Sequence, residues 1–310
     1  MWRILTGWLI LPSLLVAEPR LVPLQGTPPS PANNPTTSAK VDLGKKLFFD
    51  TRLSGPGNRS CGSCHRPELM FSDGFSRAWG LQTELRRRTP TLFNVGWQQR
   101  LFHDGRVASL EEQAALPLLA ENEMALDLAE AIQRVRRDPE YQKLFPRAFP
   151  GRELSFDLIA EAVSSYQRTL VSYDSDLDRY LLGDPAALNE PAQRGMALFT
   201  GTAGCTRCHN GPLLSDQQLH YTGVPELLGD SPQGTPYKTS SLRDAALRAS
   251  YMHNGHFRTL DAVIDFYQGV GAAEGVPSEA PRLRLAPEQK ADLIAFLRSL
   301  TGRTYSIDSP

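Results

Sequence analysis

Cysteine is scarce in this chain, and none of it is spare. The 310 residues include four cysteines. All four fall in two copies of one pattern, Cys61-Gly-Ser-Cys64-His65 and Cys205-Thr-Arg-Cys208-His209. That excludes a disulfide framework, because two thiols two residues apart make a poor staple and no cysteine remains for any other bridge. Charge of one sign is also lacking. A formal net charge of −1 gives no basis for binding nucleic acid or an acidic membrane surface. Long apolar runs are missing beyond the start of the chain, so no later segment reads as a membrane span. Strand-like alternation is nearly absent. What remains, 41% hydrophobic and 22% charged residues, is the composition of a soluble, mostly helical protein long enough for two domains.

The first seventeen residues stand apart. Trp2-Arg3 is a short basic start, and Ile4 to Ala17 is mostly apolar. That apolar stretch is short for a bilayer crossing but suits the core of an export signal. A cut after Ala17 fits, although Leu15 at the −3 position is larger than usual; an uncleaved anchor is the alternative. Export without stable membrane insertion places the mature protein in the periplasm. Residues 18–37 are rich in Pro, Ser, Thr and Asn and read as a flexible lead.

Helical periodicity follows. A helix fits Ser38 to about Phe49, with Val41, Leu43 and Leu47 on its apolar face. Ser109-Leu-Glu-Glu112 opens another. Leu128, Ile132 and Val135 repeat at helical spacing, as do Leu158, Ile159, Ala162, Val163, Tyr166 and Leu170. Leu182-Gly-Asp-Pro185 reads as a boundary between an N-terminal domain at 38–184 and a C-terminal domain at 185–310. Asn189 then opens a helix to Phe199, and a last helix runs from about Pro287 to Leu300. The halves repeat: Leu43-Gly-Lys-Lys-Leu-Phe-Phe49 leads into the first cysteine motif, and Gln193-Arg-Gly-Met-Ala-Leu-Phe199 into the second.

Cys-x-x-Cys-His spaces two thiols to add to the vinyl groups of one porphyrin and delivers the next residue to its iron. Two copies that use every cysteine point to two covalently bound haem c groups, on Cys61, Cys64 and His65 and on Cys205, Cys208 and His209. A four-thiolate zinc site is the alternative. It leaves both histidines without a role and requires pairs 140 residues apart to meet.

The sequence resembles the bacterial di-haem cytochrome c peroxidase and MauG family from Ala39 to Gly302. Besides the haem motifs, the resemblance rests on Pro90-Thr-Leu-Phe-Asn94, Leu101-Phe-His-Asp-Gly-Arg106, Ser109-Leu-Glu-Glu-Gln-Ala114 and Tyr251-Met-His-Asn-Gly255. It implies two helical cytochrome c domains, an N-terminal haem that reacts with hydrogen peroxide and a C-terminal haem that transfers electrons. Glu123 falls at the family's distal acid/base, ten residues beyond Gln113; without the family it reads as a solvated acid beside Glu121. Tyr267 falls at the sixth ligand of the C-terminal haem, where ordinary peroxidases have Met and MauG-like members Tyr. Met252, His253 and His256 are nearby competitors, and a buried core tyrosine is the plain alternative. The candidate iron ligands are therefore His65, His209 and Tyr267. No histidine lies between His65 and His103, so the N-terminal iron is expected to lack a distal histidine ligand.

Two departures stand out. His103 replaces the family's inter-haem Trp, which removes an oxidisable indole, with Trp97 and Trp79 as substitutes. Arg88 occupies the place of the Asn that ligates an inter-haem calcium, and Arg248 and Ser250 replace two residues that lend carbonyls to it. A guanidinium cannot ligate a hard cation, so calcium is doubtful and Arg88 is expected to supply the positive charge. Arg243 is expected to reach a haem propionate or to form a surface ion pair. The resemblance implies an enzyme that reduces hydrogen peroxide with electrons from a small cytochrome c or copper protein, or that oxidises a partner protein as MauG-like members do. Electron carriage without catalysis is the competing reading, against which Glu123 and the missing distal histidine argue.

Overall fold

The computed structural model describes residues 20–227, 231–232, 234–269 and 278–306. The expected export signal lies outside them. Ten α-helices occur among the described residues: α1 Ser38–Phe48, α2 Cys61–Cys64, α3 Leu110–Leu119, α4 Leu128–Arg137, α5 Pro139–Ala148, α6 Phe156–Thr169, α7 Asp176–Leu181, α8 Glu190–Thr200, α9 Leu260–Tyr267 and α10 Pro287–Arg298. Four short strands, β1 Val171–Tyr173, β2 Leu219–His220, β3 Tyr237–Lys238 and β4 Thr304–Ser306, form two antiparallel pairs, β1 with β4 and β2 with β3. The fold is mostly helical, and the helix starts are set by local chemistry. Thr37, Ser109, Asp127, Ser155, Asn189 and Thr259 each accept a hydrogen bond from a first-turn backbone N–H, which satisfies a donor the helix itself cannot.

Two hydrophobic cores organise the chain. The first runs from Val41 to Leu170 in sequence and the second from Leu177 to Leu300. Each is built on one tight helix crossing, α1 on α6 and α8 on α10. The internal repeat explains both. A Cβ at Gly44 would overlap the carbonyl oxygen of Ala162, and a Cβ at the equivalent Gly195 would overlap that of Asp292. Glycine is what lets the two backbones meet. The aromatic ends of the repeat then fill the space beside the crossing: Phe48 packs on Tyr166 with ring centroids 5.3 Å apart, and Phe199 on Phe296 at 5.0 Å.

The halves are laced together more closely than the sequence suggested. Helix α7 precedes the expected boundary yet contributes Leu177 to the second core. Its Asp178 pairs with Arg243 at 2.7 Å, both side chains 3% exposed. Arg243 is thus committed to a buried pair, and its Nε donates to the Pro212 carbonyl, so it is not a surface partner. At the other end, β4 returns to pair with β1, and Tyr305 packs on Phe93 at 5.2 Å.

The lead expected to be flexible is instead fixed from residue 20 onward. Leu24 is buried and its N–H donates to Asp178 Oδ1 at 2.9 Å, while Leu21 bridges to Gly211. Asn34 is fully buried; it donates to Glu111 Oε1 at 2.6 Å and accepts from Lys40 Nζ at 2.8 Å. A Pro- and Ser-rich composition rules out a core of the segment's own, but it does not prevent docking onto cores built elsewhere. No helix among the described residues is long and apolar enough to cross a membrane.

The crossings carry a direct test. Gly44→Ala and Gly195→Ala should each lower stability by about 1–3 kcal/mol or more through overpacking, read as a shift in the denaturant midpoint. A change within about 0.5 kcal/mol, the scatter of neutral surface changes, would contradict backbone contact at that crossing.

Candidate haem sites

Each Cys-x-x-Cys-His motif forms a single tight turn. In the first, α2 ends where the His65 N–H donates to the Cys61 carbonyl at 2.9 Å; in the second, the His209 N–H donates to the Cys205 carbonyl, also at 2.9 Å. Both imidazoles are then fixed by a backbone carbonyl. His65 Nδ1 lies 2.8 Å from the Phe71 oxygen, and His209 Nδ1 lies 3.0 Å from the Leu214 oxygen. A carbonyl only accepts, so Nδ1 carries the hydrogen and Nε2 presents its lone pair. Burial lowers both histidine pKa values and keeps the rings neutral. This is the arrangement a metal-ligating histidine requires.

The carbonyls are aimed by strained backbone. Phe71 and Leu214 each have φ of +51°, and both are fully buried. Bulky residues rarely adopt the left-handed region, at a cost on the order of 1–3 kcal/mol. The surrounding core enforces the bend that turns each carbonyl onto its histidine.

The four cysteines are free of disulfides. Burial pushes the Cys61 and Cys205 thiols up to about 12. Among the described residues, the one group of three or more His, Cys, Asp and Glu with converging ligand atoms is Cys208, Asp216 and His220. The two cysteine pairs therefore do not converge on a zinc ion. They sit instead on separate cores, each beside its own fixed histidine.

Glu123 lies in the turn that closes α3. Its N–H donates to the Ala120 carbonyl at 2.9 Å, and Met124 offers its own carbonyl to the Gly55 N–H at 2.7 Å, tying the turn to the loop before Cys61. The carboxyl is close enough to influence both Cys61 and Cys64. Burial raises its pKa, with the positive charge of Arg106 opposing the rise. Gln113 is on α3 itself, and its Oε1 is buried without a hydrogen-bond partner. An orphaned acceptor of this kind costs about 1–3 kcal/mol unless a donor is supplied from outside the chain.

The second motif faces a large cavity with about 1440 Å³ of empty space, part of it open to solvent. Cys205, Cys208, His209 and Tyr267 share its wall. Tyr267 is the last residue of α9, and burial pushes its phenol up to about 12, with the nearby Cys205 and Cys208 thiols adding to the rise. The competitors separate. His256 is exposed. His253 is engaged by Glu226 through Nε2 at 3.0 Å and stacks on Tyr237 with centroids 3.7 Å apart. Met252 also lines the cavity.

Three residues between the halves complete the picture. His103 comes from the N-terminal half but lines the same cavity. Its Nε2 donates to the Arg88 carbonyl at 3.1 Å, and burial, reinforced by the Arg88 charge, holds its pKa well below the usual value. Arg88 is buried, and its Nε donates to the Met252 carbonyl at 2.8 Å. Arg248 is half-buried and donates to the Ser241 and Arg243 carbonyls. Burial and the neighbouring Arg248 lower the Arg88 pKa to about 9, so it stays charged at neutral pH. Trp97 is half-buried and Trp79 is exposed, and neither is among the cavity residues. Sequence reasoning missed Tyr237, Glu226 and Arg87, which gather around His253; the only signal for them was the Tyr251-Met-His-Asn segment.

A helical chain with two such histidine and thiol sites is a two-centre c-type cytochrome in architecture. The family model described as "Di-haem cytochrome c peroxidase" matches residues 38–186. The methylamine utilization protein MauG of Methylophilus methylotrophus is 39% identical over 299 residues, covering 91% of this chain and 88% of that one. The cytochrome c551 peroxidase of Nitrosomonas europaea is 31% identical over 292 residues, covering 88% and 83%. Among solved structures, a MauG-like protein associated with microbial copper homeostasis matches with a TM-score of 0.81 and 32% identity over 98% of both chains. The diheme peroxidase BthA of Burkholderia thailandensis, at 24% identity and a TM-score of 0.74, shares the fold. The chain belongs to the di-haem cytochrome c peroxidase and MauG family of oxidoreductases, whose cofactor is haem c.

The holoprotein should carry two haems that survive denaturation, read by mass. Tyr267→Phe should keep both and convert the C-terminal centre from its wild-type low-spin spectrum. An unchanged low-spin spectrum would remove Tyr267 as a ligand.

Proposed function

We propose that the protein reduces hydrogen peroxide to water at its N-terminal haem, with electrons relayed through the C-terminal haem. The carrying observation is the half-buried carboxyl of Glu123 beside the thiols of the first motif, on a stretch with no competing histidine. Cys61 and Cys64 would hold that haem covalently and His65 would ligate it; Cys205, Cys208, His209 and Tyr267 would do the same for the second. Bound haem supplies the iron at which peroxide accepts two electrons. Glu123 takes a proton from the near oxygen of hydrogen peroxide and returns it to the far oxygen, which leaves as water. The orphaned Gln113 Oε1 accepts a hydrogen bond from the incoming peroxide and orients it. The balance is one peroxide, two electrons and two protons to two waters.

Arg88 and Arg248 supply fixed positive charge between the centres without calcium. Calcium bound at one per chain by elemental analysis would overturn that assignment. The electrons come from a small cytochrome c or copper protein in the periplasm. Tyr267 favours a second reading, in which the oxidising equivalents act on side chains of a partner protein. A phenolate stabilises oxidised iron relative to Met and lowers the potential of the centre.

Glu123→Gln should leave haem content unchanged and slow the reaction with peroxide by about 10²–10⁴-fold, the contribution typical of a positioned acid/base. Glu123 must be ionised to accept the first proton, and burial raises its pKa. The wild-type rate should therefore fall as pH drops through that raised value, and the variant should lose this acid limb. Unchanged peroxide kinetics in stopped flow would refute the role.

A further inference from the structure

Four tyrosines line the C-terminal cavity: Tyr221, Tyr237, Tyr251 and Tyr267. Their hydroxyl partners set them apart. Tyr267 faces the haem site already described. Tyr221 is 38% exposed. Tyr251 donates to the Ala245 carbonyl at 3.0 Å, which cannot take a proton at neutral pH. Tyr237 donates to a carboxylate, Glu226 Oε1, at 2.7 Å.

The surroundings of Tyr237 are built around that bond. Its ring is 6% exposed and stacks on His253 with an interplanar angle of 14°. The other Glu226 oxygen accepts from His253 Nε2 at 3.0 Å. Arg87, from the N-terminal half, donates to the Tyr237 oxygen at 2.6 Å and to Ser231 at 2.6 Å. The next residue, Lys238, donates its N–H to the carbonyl of His103 at 2.8 Å. Tyr237 thus bridges the two halves at the wall that His103 and the second haem motif share.

A neutral phenol gives up an electron reluctantly because the resulting cation is a strong acid. When a base already holds the hydroxyl proton, electron and proton leave together and the charged intermediate is avoided. Burial pushes the Tyr237 phenol up to about 12, so it is present as the protonated donor. His103, whose imidazole is hard to oxidise, provides no alternative relay at this wall.

We propose that Tyr237 is a redox relay between the two halves, passing one electron at a time to the peroxide-oxidised haem centre while its phenolic proton moves to Glu226. This rests on the peroxide-reducing reading above. In the step, the Tyr237 O–H bond breaks, its proton goes to Glu226 Oε1, its electron reduces the oxidised haem, and a neutral phenoxyl radical remains. One electron arriving through the C-terminal haem and return of the proton from Glu226 restore the phenol. Arg87 and His253 are positioning residues that hold the carboxylate and the ring.

The test is rapid-freeze electron paramagnetic resonance of the two-haem protein after one equivalent of hydrogen peroxide, with ring-deuterated tyrosine incorporated to identify the radical. Wild type should show a tyrosyl signal that narrows on deuteration. Tyr237→Phe should lose at least tenfold of it at unchanged haem content and oxidation. Glu226→Gln keeps the phenol and removes the proton acceptor; it should show the same loss and serves if the first variant fails to fold. A tyrosyl signal of full size in either variant, or none in wild type while the haems are oxidised, overturns the relay. If peroxide leaves both irons unchanged, the peroxide reading fails by itself. The relay is then decided by a flash-generated ruthenium(III) oxidant, which must give the same Tyr237-dependent radical if it is right and a Tyr237-independent one, or none, if it is wrong.

Discussion

The structure depends on two hydrogen bonds from imidazole Nδ1 to backbone carbonyl, at His65 and at His209. Each leaves a half-buried neutral ring with one lone pair and a single direction in which to offer it. The carbonyl in each case belongs to a bulky, fully buried residue with positive φ, Phe71 or Leu214. Such a backbone persists only where packing holds it. The cores behind the motifs, each anchored by a glycine-mediated helix crossing, are what hold it. Helix packing, a strained turn and ligand orientation form one chain of dependence, and the protein contains it twice.

Duplication makes the differences between the sites informative. One motif has a half-buried carboxyl close by, Glu123; the other has a half-buried phenol, Tyr267, in the wall of a cavity. A centre flanked by a proton-transfer group suits bond-breaking chemistry, and a centre facing a side-chain ligand suits electron storage. Between them lie two guanidiniums, the buried Arg88 and the half-buried Arg248, and the Tyr237 cluster. A buried cation is costly unless it is compensated; the charge of Asp73 offsets part of that cost for Arg88, as Asp244 does for Arg248.

Much of this was legible in the sequence. The cysteine motifs and their repeat were, because covalent chemistry imposes fixed spacing. So were α1, α6, α8 and α10, whose apolar faces are local signals. The pairing of Gly44 with Ala162 was not, since nothing local marks which helix a glycine will meet. The docking of Leu24 and Asn34 was hidden because a Pro- and Ser-rich segment carries no periodicity of its own. Arg243 read as reaching a haem propionate or forming a surface ion pair; its partner Asp178 lies 65 residues away, beyond any spacing rule. The Tyr237, Glu226, His253 and Arg87 cluster gathers four segments and has no motif, so only the fold brings it into view.

The central claim is that one iron retains a vacant coordination position beside Glu123 while the other is saturated by protein. Low-temperature electron paramagnetic resonance of the fully ferric protein as isolated tests it most directly. The account predicts one high-spin and one low-spin ferric signal per chain in equal amounts. Two low-spin signals, with no high-spin component at neutral pH, would contradict it.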